Sequence, residues 1–324
     1  MTIREISNAD FFIIGGGGLW PFESKKQLAL QKLYFRAAKI FHCERLFFGI
    51  EINNLKSQWG KDYWRFFVNN SKAVIARNED TVKMLSSITE GNQGKLFVSS
   101  DVTFAFETAE EMEGVINPQF IPQPGYLLMA LAMPWTNAEM NDEHYKSRFQ
   151  KFVDQIVNVI KKELDCEGKY SSLVFLPFYG GSDIHLINSI ISKLDSYPVK
   201  VIDNDYPIGY KRMLFKYAKH VMAMRYHSVL FSLFNATPFT AISYSGKTSN
   251  LMIENGLSDH MVEFGIRSNQ FFYKEFDLNK EKLEEALEKG YDNADYHKQL
   301  QAISEQLKHQ AQYGFSKLFE ILDE

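Results

Sequence analysis

Arg225, His227 and Lys247 are the residues of this sequence whose types and spacing could do chemistry together. Arg225 and His227 follow an apolar run, His220 to Met224, that reads as a strand. Lys247 follows a second such run, Phe239 to Ser243, at the start of a helix. In a parallel sheet both strand ends open onto one edge, where crossover helices also present their N-termini. A guanidinium, an imidazole and an ammonium gathered there suit a small, highly charged anion. Ser243, Ser245 and Ser249 could add neutral donors to the same ligand. A lone histidine is more often structural; the immediate Arg-x-His at a strand end favours function here.

Three further strand ends carry candidates. Phe11 to Ile14 runs into Gly15, Gly16, Gly17 and Gly18, whose backbone could adopt positive φ and cradle an anion. The run is not the G-x-G-x-x-G dinucleotide fingerprint, and a tight strand-to-helix turn is its alternative reading. Arg77, past the run Ala73 to Ala76, precedes Asn78-Glu79-Asp80-Thr81. Either Asn78 caps a helix with Arg77 as its surface partner, or Arg77 clamps a carboxylate or phosphate in a cleft. Asp183 follows Leu176-Pro177-Phe178 and Gly180-Gly181; it could cap a helix or serve as general base toward a sugar hydroxyl. His185 is read as peripheral. The other histidines, His42, His144, His220, His260, His297 and His309, lack paired ligand spacing, so no protein-built metal site is expected.

The elements that must position these residues alternate between short apolar runs and longer amphipathic stretches, the pattern of parallel sheets covered by helices. Strands are predicted at 11–14, 46–50, 73–76, 96–98, 126–133, 173–176, 199–202, 220–224 and 239–243. Helices are predicted at 25–41, 61–69, 79–85, 142–164, 183–194 and 210–218, and again from about 280 onward. The stretch 108–124, rich in Glu and Pro, reads as a linker. The apolar stripe Leu300, Ile303, Leu307, Phe315, Leu318 and Leu322 should dock on the first domain. The predicted fold is α/β, two Rossmann-like domains facing a cleft: 1–123, 124–268 holding the donor site, and a helical segment 269–324 packing back.

Composition bounds the partners. The 324 residues are 45% hydrophobic and 23% charged, as in an ordinary globular protein. A formal net charge of −4 with no Lys/Arg block argues against a general nucleic-acid role. Cys43 and Cys166 stand alone, as structural thiols of a reduced cytoplasmic protein would. No signal peptide and no run long enough to span a membrane is found. The 27 Phe residues are read mainly as core, with a few rings left for sugar stacking or membrane contact.

Taken together, these residues resemble the polysaccharide pyruvyl transferase family. The resemblance covers about residues 8 to 270. It rests on the run from Asp10 to Leu19, on Arg77 to Thr81, on Leu176-Pro177-Phe178 with Asp183, and on Met224-Arg225-Tyr226-His227-Ser228. Ile242-Ser243-Tyr244-Ser245-Gly246-Lys247 completes it. It implies a fold like that of two-domain GT-B glycosyltransferases, and phosphoenolpyruvate as co-substrate with no other cofactor. It also implies a sugar or lipid-linked oligosaccharide as acceptor, a cytoplasmic location extending to the inner face of the membrane, and peripheral membrane contact. Arg77, Arg225 and Lys247 would hold the donor's charges, with Tyr226, Ser243 and the glycines beside them. His227 would be general acid or phosphate partner, and Asp183 the base toward the acceptor.

Two departures from the family pattern stand out. The glycine run arrives after only a handful of residues, so the N-terminal domain reads as shortened. That would leave an apolar sheet edge for a homodimer to cover. At Leu131-Ala132-Met133-Pro134-Trp135 an arginine frequent in relatives is replaced by Met133. Two alternatives remain at this level, a glycosyltransferase of similar form using a sugar nucleotide and a truncated, non-catalytic homologue.

Overall fold

The computed structural model describes residues 3–17, 25–52, 55, 57–89, 91, 93–105, 122–194, 197–202, 205–267, 272–275 and 277–323. Gly18 and most of the 108–124 stretch lie outside them. Two compact units are present: Met1–Phe106 together with Glu305–Glu324, and Glu107–Ser304.

The first unit is built on a parallel sheet of order β1-β2-β3-β4, from β1 (Phe11–Gly17), β2 (Glu44–Ile50), β3 (Ala73–Ala76) and β4 (Leu96–Val98). β2 and β3 are near-continuous apolar runs because both their faces are covered. On one face Phe35, from the helix Lys25–Ile40, joins Phe47, Trp64 and Phe67. Their ring centroids lie 5.0–5.7 Å apart. On the other, Leu46, Phe48, Ala73 and Ile75 meet Leu318 and Ile321 of the long helix Ala294–Asp323. Lys72 Nζ fixes that helix by donating to the Ile321 carbonyl at 3.0 Å.

The second unit holds a six-stranded parallel sheet of order β10-β9-β8-β5-β6-β7. Its strands are β5 (Tyr126–Ala130), β6 (Leu173–Phe175), β7 (Val199–Val201), β8 (Ala218–Ala223), β9 (Phe239–Ser243) and β10 (Met261–Glu263). β11 (Gly265–Arg267) and β12 (Phe272–Glu275) add an antiparallel ribbon. Of the stripe its spacing predicts, the helix Glu143–Asp165 buries Phe152, Ile156, Val159 and Ile160, while Leu164 is half-buried. β5 stops at Ala130, short of the expected Met133. The next residues turn toward the sheet edge, where the Met133 amide donates to Asp183 at 3.1 Å. The helix expected at 183–194 is Gly180–Ile191, because the Asp183 carboxylate reaches back to the Tyr179 amide at 2.9 Å and starts it a turn earlier.

The topology selects one place on this sheet. From β5 the chain steps outward to β6 and β7, then returns to add β8 on the other flank of β5. Strand order therefore reverses between β5 and β8, where crossover loops diverge and leave a crevice at the carboxyl ends. The last paired residues there are Ala130 and Ala223, and Arg225 follows two residues later.

Candidate active site

Arg225 occupies that reversal point, just before the helix Tyr226–Phe234. Its Nε donates to Asp183 Oδ2 at 3.3 Å, and its Nη2 makes a short bond to Asp183 Oδ1. Its Nη1 donates to the Tyr244 hydroxyl at 3.1 Å, and the guanidinium lies 4.4 Å from the Tyr179 ring centroid. A planar fork held on three sides has little rotamer freedom left to lose on binding. Burial pushes the Tyr244 phenol above its ordinary value, against the pull of the Arg225 charge, so Tyr244 keeps its proton.

Asp183 is fully buried. Beyond Arg225, its oxygens accept from the amides of Met133, Phe178 and Tyr179 at 3.1, 3.3 and 2.9 Å. A fully buried carboxylate whose oxygens are already taken by that many donors has no lone pair open to a substrate hydroxyl, which makes it a poor general base. The role suggested by sequence is corrected on this point: Asp183 ties the loops after β5 and β6 to the arginine after β8.

Three helices begin along the same edge: Gly180–Ile191, Tyr226–Phe234 and Gly246–Glu254. None has a side-chain hydrogen bond from its N-cap residue. Four helices elsewhere are capped by Ser57, Asn78, Asp142 and Asn279. A Cβ placed at Gly181 or Gly246 would meet nothing within 4 Å, so space lies open above two of the three starts. His227 is exposed in the first turn after Arg225, its ring 6.4 Å from that of Phe231. Half-buried Tyr226 lies edge-on to it at 5.9 Å. Lys247 is half-buried in the first turn after β9. Arg225, His227 and Lys247 thus sit at the starts of helices following adjacent strands, on one sheet edge. Ser243 is different. It is buried, donates to the Ser245 carbonyl at 3.0 Å and shares a 2.8 Å bond with Ser249, so it knits β9 to its helix rather than facing a ligand.

Arg77 and the glycines belong to the first unit. Arg77 is buried, paired with Asp101 at 2.8 Å and more closely with Glu51. These acids come from the segments after β4 and β2, so the arginine locks three strand ends together and is no open clamp. Asn78 caps the helix Glu79–Ile88 through the Thr81 amide at 3.0 Å. Gly17, at φ +76°, lets Arg77 in: a Cβ there would lie 3.0 Å from Nη1. A Cβ at Gly15 would stand 2.8 Å from the Phe48 carbonyl oxygen. Both glycines therefore have packing roles, and Gly16 shares the positive φ, at +91°. The residues sequence reasoning missed are Tyr179 and Tyr244. Tyr244 immediately follows the end of β9, a signal as direct as the one that marked Arg225.

The sequence profile of the polysaccharide pyruvyl transferase family matches residues 2–246. None of the curated proteins matches by sequence. Among solved structures, UDP-GlcNAc 2-epimerase from Neisseria meningitidis bound to UDP-GlcNAc is similar at TM-score 0.60 and 12% identity, over 99% of this chain and 82% of that one. UDP-GlcNAc 2-epimerase from Methanocaldococcus jannaschii gives 0.58 and 15%, over 90% and 74%. A trehalose-phosphate synthase from Burkholderia vietnamiensis gives 0.52 and 10%, over 90% and 72%. At such identities the likeness establishes the fold, which is GT-B-like α/β.

Proposed function

Because the chain belongs to the polysaccharide pyruvyl transferase family, we propose that it moves the pyruvyl unit of phosphoenolpyruvate onto two hydroxyls of one sugar in a polysaccharide precursor, leaving a cyclic ketal. The observation that carries this reading is Arg225, fixed by Asp183, Tyr244 and Tyr179 at the strand-order reversal, with helix starts on either side. Phosphoenolpyruvate concentrates a phosphate and a carboxylate on three carbons, so it needs cationic donors in place before it arrives. Three of the five Arg225 N–H groups are spent on Asp183 and Tyr244, which leaves two for the ligand. Lys247 and the helix start at Gly246 supply the second positive locus.

The chemistry then has a balanced course. Protonation of the methylene carbon makes C2 an oxocarbenium-like centre. One sugar hydroxyl adds there, and its proton goes back to the acid that protonated the carbon. The C2–O bond to phosphate breaks, a second hydroxyl closes the ring, and its proton leaves with the phosphate. We assign His227 to delivering the proton or receiving the phosphate, since it is the exposed titratable side chain beside Arg225. Asp183 is a positioning residue.

Calorimetric titration with phosphoenolpyruvate and with UDP tests the reading. Phosphoenolpyruvate should bind, and Arg225→Lys, which keeps charge but loses the fork, should weaken it by at least about thirtyfold. Binding of UDP in its place would replace the reading with that of a sugar-nucleotide enzyme.

A further inference from the structure

The helix Lys25–Ile40 is apolar on two opposite faces. Phe35 and Ala38 are buried in the first unit's core. Facing away are Leu30 at 49% exposure, Leu33 at 53% and Ile40 at 72%, with Phe41 following at 43%. A surface helix ordinarily turns polar residues outward, so a second apolar face marks a contact. The charges on this helix all have one sign. Lys25, Lys26, Lys32, Arg36 and Lys39 are its ionisable cations, and its 16 residues contain no Asp or Glu, in a chain of net charge −4. Lys32 Nζ lies 5.0 Å from the Tyr63 ring centroid and 4.6 Å from that of Phe66. Arg36 lies 5.8 Å from the Phe66 centroid, so half-buried aromatic rings continue the surface.

We infer that this face seats the protein on an anionic lipid bilayer. Exposed leucine and isoleucine select a partner with a hydrocarbon interior. Cations without acids select one with a negative surface. An anionic membrane interface offers both within a few ångströms. A second copy of the chain fits poorly on this face, since a two-fold contact would set two acid-free cationic helices against each other. This inference does not depend on pyruvyl transfer. Were both correct, the enzyme would meet its acceptor at the bilayer surface.

Vesicle flotation of the full chain tests it. Binding is expected to vesicles in which about a third of the phosphatidylcholine is replaced by phosphatidylglycerol, weak binding to phosphatidylcholine alone, and release at about 1 M salt. Arg36→Gln with Lys39→Gln should lower the affinity roughly fivefold per cation. Leu33→Gln with Ile40→Gln, exposed and helix-compatible, should lower it about tenfold or more with an unchanged melting temperature. The inference is overturned if the wild type ignores anionic vesicles, binds neutral ones equally, or is unaffected by both variants. It is equally overturned if the apolar pair instead converts a dimer to a monomer in sedimentation.

Discussion

Asp183 and Arg225, 42 residues apart, meet as a bidentate pair in which the acid is fully buried and the base is only slightly exposed. Every strand loop around the reversal point is referred to this pair, through the amides of Met133, Phe178 and Tyr179 and the Tyr244 hydroxyl. Asp183→Asn keeps the shape but removes the charge that balances Arg225. Breaking a buried pair from one side costs about 3–5 kcal/mol, and partial exposure of Arg225 puts this case at the lower end. We expect a lower melting temperature and weaker phosphoenolpyruvate binding from a misaligned fork. An Asp183→Asn variant as stable as wild type would remove the positioning role.

Arg77 should behave differently. Arg77→Met leaves Glu51 and Asp101 facing each other without a cation, so unfolding in urea should show a loss of about 3–5 kcal/mol. Phosphoenolpyruvate affinity, measured where the variant is still folded, should stay within about threefold of wild type. A stable variant that loses ligand would restore the clamp suggested by sequence.

The contrast between these two arginines shows where sequence is legible. β3, β4 and β9 lie where their apolar runs put them, because parallel strands covered on both faces must be apolar throughout. Arg225, His227 and Lys247 share an edge for the same reason, since strand ends in a parallel sheet all open one way. What a side chain does at that edge depends on partners from other strands. Arg77 and Arg225 both follow an apolar run, yet Glu51 and Asp101 absorb the first. Asp183 reads as a base in sequence because its six donors come from three separate segments, after β5, β6 and β8. Nothing local marks such a convergence.

The second unit carries an acid-sensitive site away from this chemistry. His220 is fully buried, its Nε2 3.0 Å from the Thr240 hydroxyl. Burial, with His260 and Lys169 nearby, pushes it down to about 3. His260, stacked on Tyr296 at 3.5 Å, is lowered too, mainly by burial. His220 is neutral when folded and protonates on unfolding below about pH 6.5, and the shift of His260 acts in the same direction, so the unfolded state binds more protons as pH falls. Stability should therefore hold above about pH 6.5 and decline below it. For His220 alone the decline steepens to roughly 1 kcal/mol per pH unit once pH is well below 6.5 and continues toward about pH 3. Urea midpoints across this range should fall less steeply in His220→Gln. An unchanged slope would exclude this histidine as the source.

Gly314 lies on the long C-terminal helix where it crosses Ser99 in the first unit. Alanine is favoured over glycine inside a helix by about 1 kcal/mol, which alone predicts that Gly314→Ala stabilises. The added Cβ, however, would sit 2.2 Å from the Ser99 Oγ and 2.6 Å from its Cβ, with Ile75 behind at 3.6 Å. Relieving that overlap requires the helix to move, which strains the bonds from Ser99 to the Gln310 carbonyl at 3.3 Å and from Ser100 to the Leu307 carbonyl at 2.5 Å. Overpacking of this kind costs about 1–3 kcal/mol, so loss outweighs gain. We expect Gly314→Ala to lower the melting temperature and Ser99→Gly to restore part of it in the double variant. A rise in melting temperature from Gly314→Ala alone would show that the helix does not approach β4 this closely.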